Sequence, residues 1–119
     1  MHFIKYLFLL ILFFMLSLQS YAQRQPKVLT DTLEVTGVCK MCKARIEKAA
    51  MYVRGVKFAE WQAETQGLKV VYKTKKTNPE QICAAVALAG HDNELLKSTE
   101  EAYEKLPGCC KYRDGVKVH

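Results

Sequence analysis

Two cysteines, Cys39 and Cys42, stand close enough in the chain to act on the same atom. Only two residues separate them, so both sulfurs can converge on one ion. An alternating strand pattern precedes the pair and a helical pattern begins at Cys42, which predicts a loop at a helix N-terminus. The unpaired N–H groups and the positive dipole end of a helix favour thiolate over thiol there, and thiolate is both the metal ligand and the nucleophile.

This pair of thiols has three interpretations. With two sulfurs and no accompanying histidine pair, the loop is too poor in ligands for closed tetrahedral zinc and suits a low-coordinate soft ion such as Cu(I). The same spacing serves thiol-disulfide exchange, although a thioredoxin-like fold normally places a β-α unit before the motif, and here only one strand precedes it. A structural disulfide is the third interpretation. We favour metal carriage over the other two.

Three further cysteines follow the motif, and two of them are adjacent. Cys109 and Cys110 cannot bridge each other comfortably. They are predicted to act separately or together on a metal, with disulfides to other thiols or incidental tail thiols as alternatives. If the chain before them folds back over the sheet, Pro107-Gly108 would turn it and bring both thiols toward the first pair. Cys83, on a predicted helix, is interpreted as a small buried hydrophobic residue.

The hydrophobic pattern predicts a strand, a helix, two strands and a second helix. Their bounds are a strand over 30–36, a helix from Cys42 to about Gly55, strands over 56–63 and 68–73, and a helix capped by Asn78 and ended by Gly90. This order predicts an α+β, ferredoxin-like βαββαβ sandwich with both helices on one sheet face. Residues 91–97 lack alternation, and a capping box at 98–101 opens a short helix to Leu106. We therefore expect a degenerate or missing last strand and a short helical C-terminal extension.

The beginning of the chain has the composition of a secretory signal peptide. An apolar run over 6–16 is too short to span a bilayer comfortably, and the small-residue pattern Ser20-Tyr21-Ala22 follows it. Cleavage after Ala22 would leave about 97 residues with a net charge of about +5. An uncleaved membrane anchor is the alternative. We expect an exported protein, periplasmic or extracellular, whose thiols meet an oxidising environment.

The size and charge of the mature chain restrict its function. About 97 residues support one modest core and disfavour a cleft for a large substrate. The basic residues are scattered without interleaved aromatics, so we expect neither nucleic acid nor, after signal cleavage, a membrane as partner. Four basic residues around the motif are interpreted as solvated helix charge or as a docking rim for an acidic partner domain: Lys40, Lys43, Arg45 and Lys48.

Around the cysteine pair the chain resembles the heavy-metal-associated domain family, copper-chaperone-like and mercury-carrier-like, whose signature is Gly-Met-x-Cys-x-x-Cys running into a helix. The residues that stand where the family keeps its core and turns are 42–49, Gly55-Val56 with Ala59, Val70 with Tyr72, and 82–90. In this chain Gly37-Val38-Cys39 has one residue fewer than the family loop and Val in place of Met. The predicted division is a signal peptide over 1–22, a linker over 23–29, a heavy-metal-associated domain over 30–97, and a helical extension with a Cys-Cys tail over 98–119.

The resemblance implies a carrier rather than an enzyme, with a soft ion on Cys39 and Cys42. Cu(I) is the favoured ion and Hg(II) or Zn(II) are alternatives, and the partner is a metal-donating or metal-accepting domain such as that of a metal transporter. His91 stands at a family position that faces the metal loop. It is predicted to be a third ligand or a gate, or else a solvent-exposed loop histidine. Cys109 and Cys110 lie beyond the family domain as candidate auxiliary ligands, and sequestration or sensing without a delivery partner stays open.

Overall fold

The computed structural model describes residues 1–17, 26–115 and 117–119. The predicted cleavage site at 20–22 and the first residues of the predicted linker lie outside the described residues. The apolar segment before them forms a helix, α1 (His2–Ser17), none of whose side chains is buried. Among the described residues, no helix combines the length and the apolarity needed to cross a membrane.

Three strands form an antiparallel sheet in the order β1-β3-β2. They are β1 (Val28–Glu34), β2 (Val56–Gln62) and β3 (Gly67–Lys73). Alternate residues of the central strand β3, namely Leu68, Val70 and Tyr72, are buried, as the period of two in a half-buried strand requires. β1 begins and ends two residues before the predicted bounds. Beyond the end of β1, the N–H of Val35 donates to the carbonyl of Gln66, directly before β3, at 2.9 Å.

Two helices complete the core. They are α2 (Lys40–Tyr52), which packs on β2, and α3 (Pro79–Leu88), which packs on α2 and β1. The buried stripe of α2 repeats every four residues at Cys42, Ile46 and Ala50, so one face of the helix enters the core. α3 begins as predicted, because the side-chain oxygen of Asn78 accepts the backbone N–H of Gln81 at 2.9 Å.

A fourth strand is reduced to a single bridge, as predicted. Val35 pairs with Asn93 outside the named strands. Two backbone hydrogen bonds flank this bridge, from Thr36 to the carbonyl of Asp92 at 2.9 Å and from Glu94 to the carbonyl of Glu34 at 3.0 Å. The predicted ferredoxin-like α+β fold, with a degenerate last strand, is thereby confirmed.

The C-terminal extension is a short helix followed by two 3₁₀ turns. They are α4 (Glu100–Glu104), which Thr99 caps, and the turns Gly108–Cys110 and Tyr112–Asp114. α4 is shorter than the predicted helix over 98–106. It lies beside the end of α3, where Leu106 packs against Gly90. Tyr103, Leu106 and Cys110 are buried in the same hydrophobic cluster as the sheet and helices, so the extension is part of the folded domain.

Candidate metal centre

The loop between β1 and α2 is held in place by contacts with β2 and with the β2-β3 turn. A Cβ on Gly37 would lie 2.9 Å from the ring of Trp61 and 3.2 Å from the Cβ of Cys42. Only glycine therefore fits there without displacing the indole. The N–H of Gly37 donates to the side-chain oxygen of Gln66 at 2.9 Å, and the indole N–H of Trp61 donates to the carbonyl of Val35 at 2.9 Å.

Cys39 and Cys42 lie together at the start of α2. Cys39 is the N-cap residue, in extended conformation, and its carbonyl accepts the N–H of Lys43. Its sulfur lies 3.4 Å from that of Cys42. Cys42 is fully buried and Cys39 is only 5% exposed. The two thiols thus converge as the spacing predicts, but deeper in the molecule than an open loop would place them.

A third sulfur reaches this pair from the C-terminal extension. The sulfur of Cys110 lies 3.4 Å from that of Cys39. The ligand atoms of Cys39, Cys42 and Cys110 all lie within 4.8 Å of one another, and we call these three residues the thiol cluster. Each of the five cysteines, all within the described residues, is a free thiol.

Cys109 lies at the edge of the cluster. Its sulfur is 3.8 Å from that of Cys39, 4.0 Å from that of Cys110 and 3.4 Å from the thioether of Met41. It is partly exposed, whereas Cys110 is fully buried. The two adjacent cysteines therefore occupy different environments, one inside the cluster and one beside it.

The three thiols of the cluster differ in acidity. Burial acts to raise the pKa of Cys39, but the backbone N–H of Cys42 and the thiols of Cys110, Cys42 and Cys109 outweigh it and lower that pKa to about 7. Burial raises the pKa of Cys42. Burial, together with the neighbouring thiols, also raises the pKa of Cys110. Of these three thiols, Cys39 is therefore the one that ionises first.

His91 lies apart from the thiol cluster and is completely buried. Its Nδ1 lies 2.8 Å from the carbonyl oxygen of Thr36, and its ring stacks on Tyr112 at 5.5 Å between centroids. Burial, and to a lesser degree the charge of Arg45, lowers its pKa, so the neutral ring donates from Nδ1. The solvent-exposed interpretation is wrong. His91 thus anchors Thr36, which leads into the metal loop. Its ring nitrogens are not among the atoms that cluster with the sulfurs.

Cys83 lies away from the thiol cluster. Cys83 is fully buried in α3, which confirms its interpretation as a core residue. Burial, and secondarily the charges of Glu94 and Glu80, raises the pKa of Cys83 to about 11.

Of the basic residues of α2, Lys43 forms an ion pair with Glu47 and donates to the carbonyl of Trp61 at 2.8 Å. Lys43 therefore links α2 to β2.

Three residues of the tail and the turn were not predicted from the sequence. Gln66 has a positive φ of 58° in the β2-β3 turn. Tyr112 donates to the carbonyl of Gly90 at 2.7 Å, and Arg113 pairs with Asp92 at 2.8 Å. A glutamine directly before a turn glycine is a weak signal for Gln66, and no local pattern marks the other two.

A βαββα domain with clustered thiols at the first strand-helix junction defines the class of small soft-metal-binding domains. Residues 32–92 match the heavy-metal-associated domain family. The match covers just over half of the chain, and the chain belongs to this family. Cys109 and Cys110 lie outside the matched residues, so the tail is an addition to the family domain.

Solved structures support the assignment. The chain is similar to the CopZ metallochaperone, with 29% identity and a TM-score of 0.53 over 55% of this chain and 98% of that one. It is similar to oxidised MerP from Ralstonia metallidurans CH34, with 31% identity and a TM-score of 0.54 over 56% and 94% of the two chains. A copper-binding domain from HMA7, a P-type ATPase, gives 29% identity and a TM-score of 0.53 over 56% and 92%. A comparison with curated protein sequences gives no match.

Proposed function

We propose that this protein is an exported, non-enzymatic carrier of a soft metal ion, with Cys39 and Cys42 as the primary ligands. The observation that carries the proposal is the pair of converging thiols at the N-terminus of α2, with sulfurs 3.4 Å apart. Thiolate is the ligand type that selects soft ions. Membership of the heavy-metal-associated family and similarity to a metallochaperone support the same function.

Cu(I) is the ion we favour. It accepts a low coordination number and soft sulfur ligands, both of which this site offers. Hg(II) and Zn(II) also accept thiolates, and zinc would need two further ligands beside Cys39 and Cys42 to complete its tetrahedron. A relative that is a copper-binding domain of a P-type ATPase supports copper as the ion and a transporter domain as the partner.

Transfer would proceed by ligand exchange at Cys39. This residue, but not Cys42 or Cys110, lines an open cavity of about 490 Å³ beside Lys40 and His119. A partner thiol enters there and loses its proton as it bonds to the ion. The bond from the ion to Cys39 then breaks and Cys39 takes up a proton. A second partner thiol displaces Cys42 in the same way, so the ion leaves with its charge unchanged and no electron is transferred.

The test removes each primary ligand. Anaerobic wild-type protein should retain about one Cu(I) per chain against a competing chelator, and Cys39→Ser, Cys42→Ser or both should abolish tight binding. Cys83→Ala is the matched control, because it removes a buried thiol outside the cluster and should leave Cu(I) binding unchanged. Circular dichroism of each metal-free variant checks the fold. Wild-type Cu(I) affinity in the double serine variant would contradict the proposal.

A second candidate function is thiol-disulfide exchange by the same pair. The lowered pKa of Cys39, about 7, favours it because a thiolate is the attacking species. Reduced protein would then attack a test disulfide, form a mixed disulfide on Cys39 and resolve it with Cys42. Faster reduction of a small-molecule disulfide than by the Cys42→Ser variant, without Cu(I) retention, would favour this function over metal carriage.

A further inference from the structure

We propose that Cys110 is a third metal ligand, so that the C-terminal tail converts the family's two-cysteine loop into a three-sulfur site. This inference rests on the proposed function and specifies its coordination. Cys110 lies outside the matched family residues 32–92, and its sulfur nevertheless lies as close to Cys39 as the sulfur of Cys42 does, 3.4 Å in both cases.

The spacing of the sulfurs favours three-coordinate over linear binding. At the length of a zinc–thiolate bond, about 2.3 Å, three sulfurs on a trigonal ion lie about 4.0 Å apart, whereas two sulfurs on a linear ion lie about 4.6 Å apart. From 3.4 Å, the Cys39 and Cys42 sulfurs must separate about twice as far for the linear geometry as for the trigonal one. The third sulfur is already within 4.8 Å of both.

The tail holds Cys110 in position before any ion arrives. Leu106 is buried against Gly90, at the end of α3. The hydroxyl of Tyr112 donates to the carbonyl of Gly90 at 2.7 Å and accepts the N–H of Asp92 at 2.9 Å. The guanidinium of Arg113 pairs with Asp92 at 2.8 Å. These contacts lie on both sides of Cys110, so a third ligand is preorganised at little further cost in entropy.

A third thiolate changes what the site does with its ion. Three metal–sulfur bonds must be exchanged instead of two before the ion leaves, so the ion is retained longer. Release then requires a partner that also displaces the tail ligand. The site therefore suits ions that accept three sulfurs, Cu(I) and Hg(II), and it favours storage or gated delivery over free exchange.

The test compares two adjacent cysteines, Cys110 and Cys109. X-ray absorption of the full chain loaded with Cu(I) should give three sulfur ligands, and Cys110→Ala should reduce the number to two. Retention against a chelator should fall by more than the roughly 10- to 100-fold that loss of an outer-shell partner costs. Cys109→Ala is the matched control and should keep three sulfurs, because Cys109 lies at the edge of the cluster and is partly exposed.

The outcomes separate this inference from the proposed function. Failure of the wild-type protein to retain Cu(I) would overturn both. Tight Cu(I) binding with two sulfurs, unchanged in Cys110→Ala, would overturn the third ligand alone. Three sulfurs that persist in Cys110→Ala but fall to two in Cys109→Ala would overturn the assignment to Cys110. Cys110→Ser, which keeps the side-chain volume closer to that of cysteine, repeats the comparison if the alanine variant unfolds.

Discussion

Cys39 and Cys42 differ in acidity although only two residues separate them. Burial opposes ionisation at both thiols, since a thiolate loses hydration in the interior. At Cys39 the N–H of Cys42 and the neighbouring thiols outweigh burial and lower the pKa to about 7. At Cys42 burial dominates and the pKa is raised. The metal-free cluster therefore holds its first negative charge on the residue that also lines the open cavity.

The acidity of Cys39 predicts a pH dependence. Because its pKa is lowered, Cys39 is thiolate above about pH 7 and thiol below it. Thiolate ultraviolet absorbance of the metal-free protein should therefore show a first midpoint near pH 7, and Cys39→Ser should lose that step. Cys83→Ala should keep it, since burial raises the pKa of Cys83 to about 11. A first midpoint above about 8.5, the value of an unperturbed cysteine, would contradict the prediction.

At the scale of elements, the metal loop is supported by parts of the fold that are distant in sequence. Gln66 in the β2-β3 turn accepts the N–H of Gly37, and His91 after α3 is paired with the carbonyl of Thr36. Trp61 on β2 fills the space beneath the loop. The indole is the only one in the sequence, so its fluorescence reports directly on the loop.

Gly90 follows α3 and is the residue against which the C-terminal tail packs. Its φ is +105°, and an added Cβ would lie 2.8 Å from a methyl group of Leu106 and 3.0 Å from the carbonyl of Ala102. Gly90→Ala should therefore cost about 2 kcal/mol or more, through backbone strain and displacement of the tail. Thermal unfolding should show a decrease in Tm of about 8 °C or more for a domain of this size. Cu(I) retention should also fall, because Cys110 moves with the tail.

Gly115 supplies the matched control for this substitution. Its φ is +78°, but apart from its chain neighbours no atom of the described residues lies within 4 Å of an added Cβ. Gly115→Ala therefore carries the conformational cost without the clash, and it should lower Tm less and leave Cu(I) retention unchanged. Equal decreases in Tm for the two variants would contradict the role assigned to the Leu106 contact.

The elements and the first two thiols could be predicted from the sequence because their causes are local. Asn78 caps α3 by accepting the N–H of Gln81, only three residues further along the chain. The spacing of Cys39 and Cys42 likewise places both sulfurs on the same side of α2. The place of Cys110 could not be predicted with the same certainty, because it depends on packing against residues that are distant in the sequence. The exposed interpretation of His91 was wrong for the same reason, since Tyr112 of the tail covers its ring.

At the scale of the whole molecule, the apolar helix α1 stands out from the rest of the chain. None of its 16 residues is buried, and most of the large exposed apolar side chains among the described residues belong to it. Its length is about 24 Å, shorter than the roughly 30 Å of a bilayer's hydrocarbon core. Exposed apolar surface of this extent is typical of a segment that binds another apolar environment. We propose that this segment directs export and is then removed.

Export predicts a defined mature protein. Chain recovered from cells should begin near Gln23 and occur outside the cytoplasm, which N-terminal sequencing and intact mass measure on fractionated cells. Leu10→Lys places a charge within the apolar run and should leave full-length protein in the cytoplasm, whereas Leu10→Val keeps the run apolar and should be processed normally. Wild-type chain with Met1 intact in the cytoplasmic fraction would contradict export. In that case the thiol cluster would lie in a reducing compartment. There glutathione would compete with the cluster for the metal, whereas in an oxidising compartment disulfide formation would compete with the metal for the thiols.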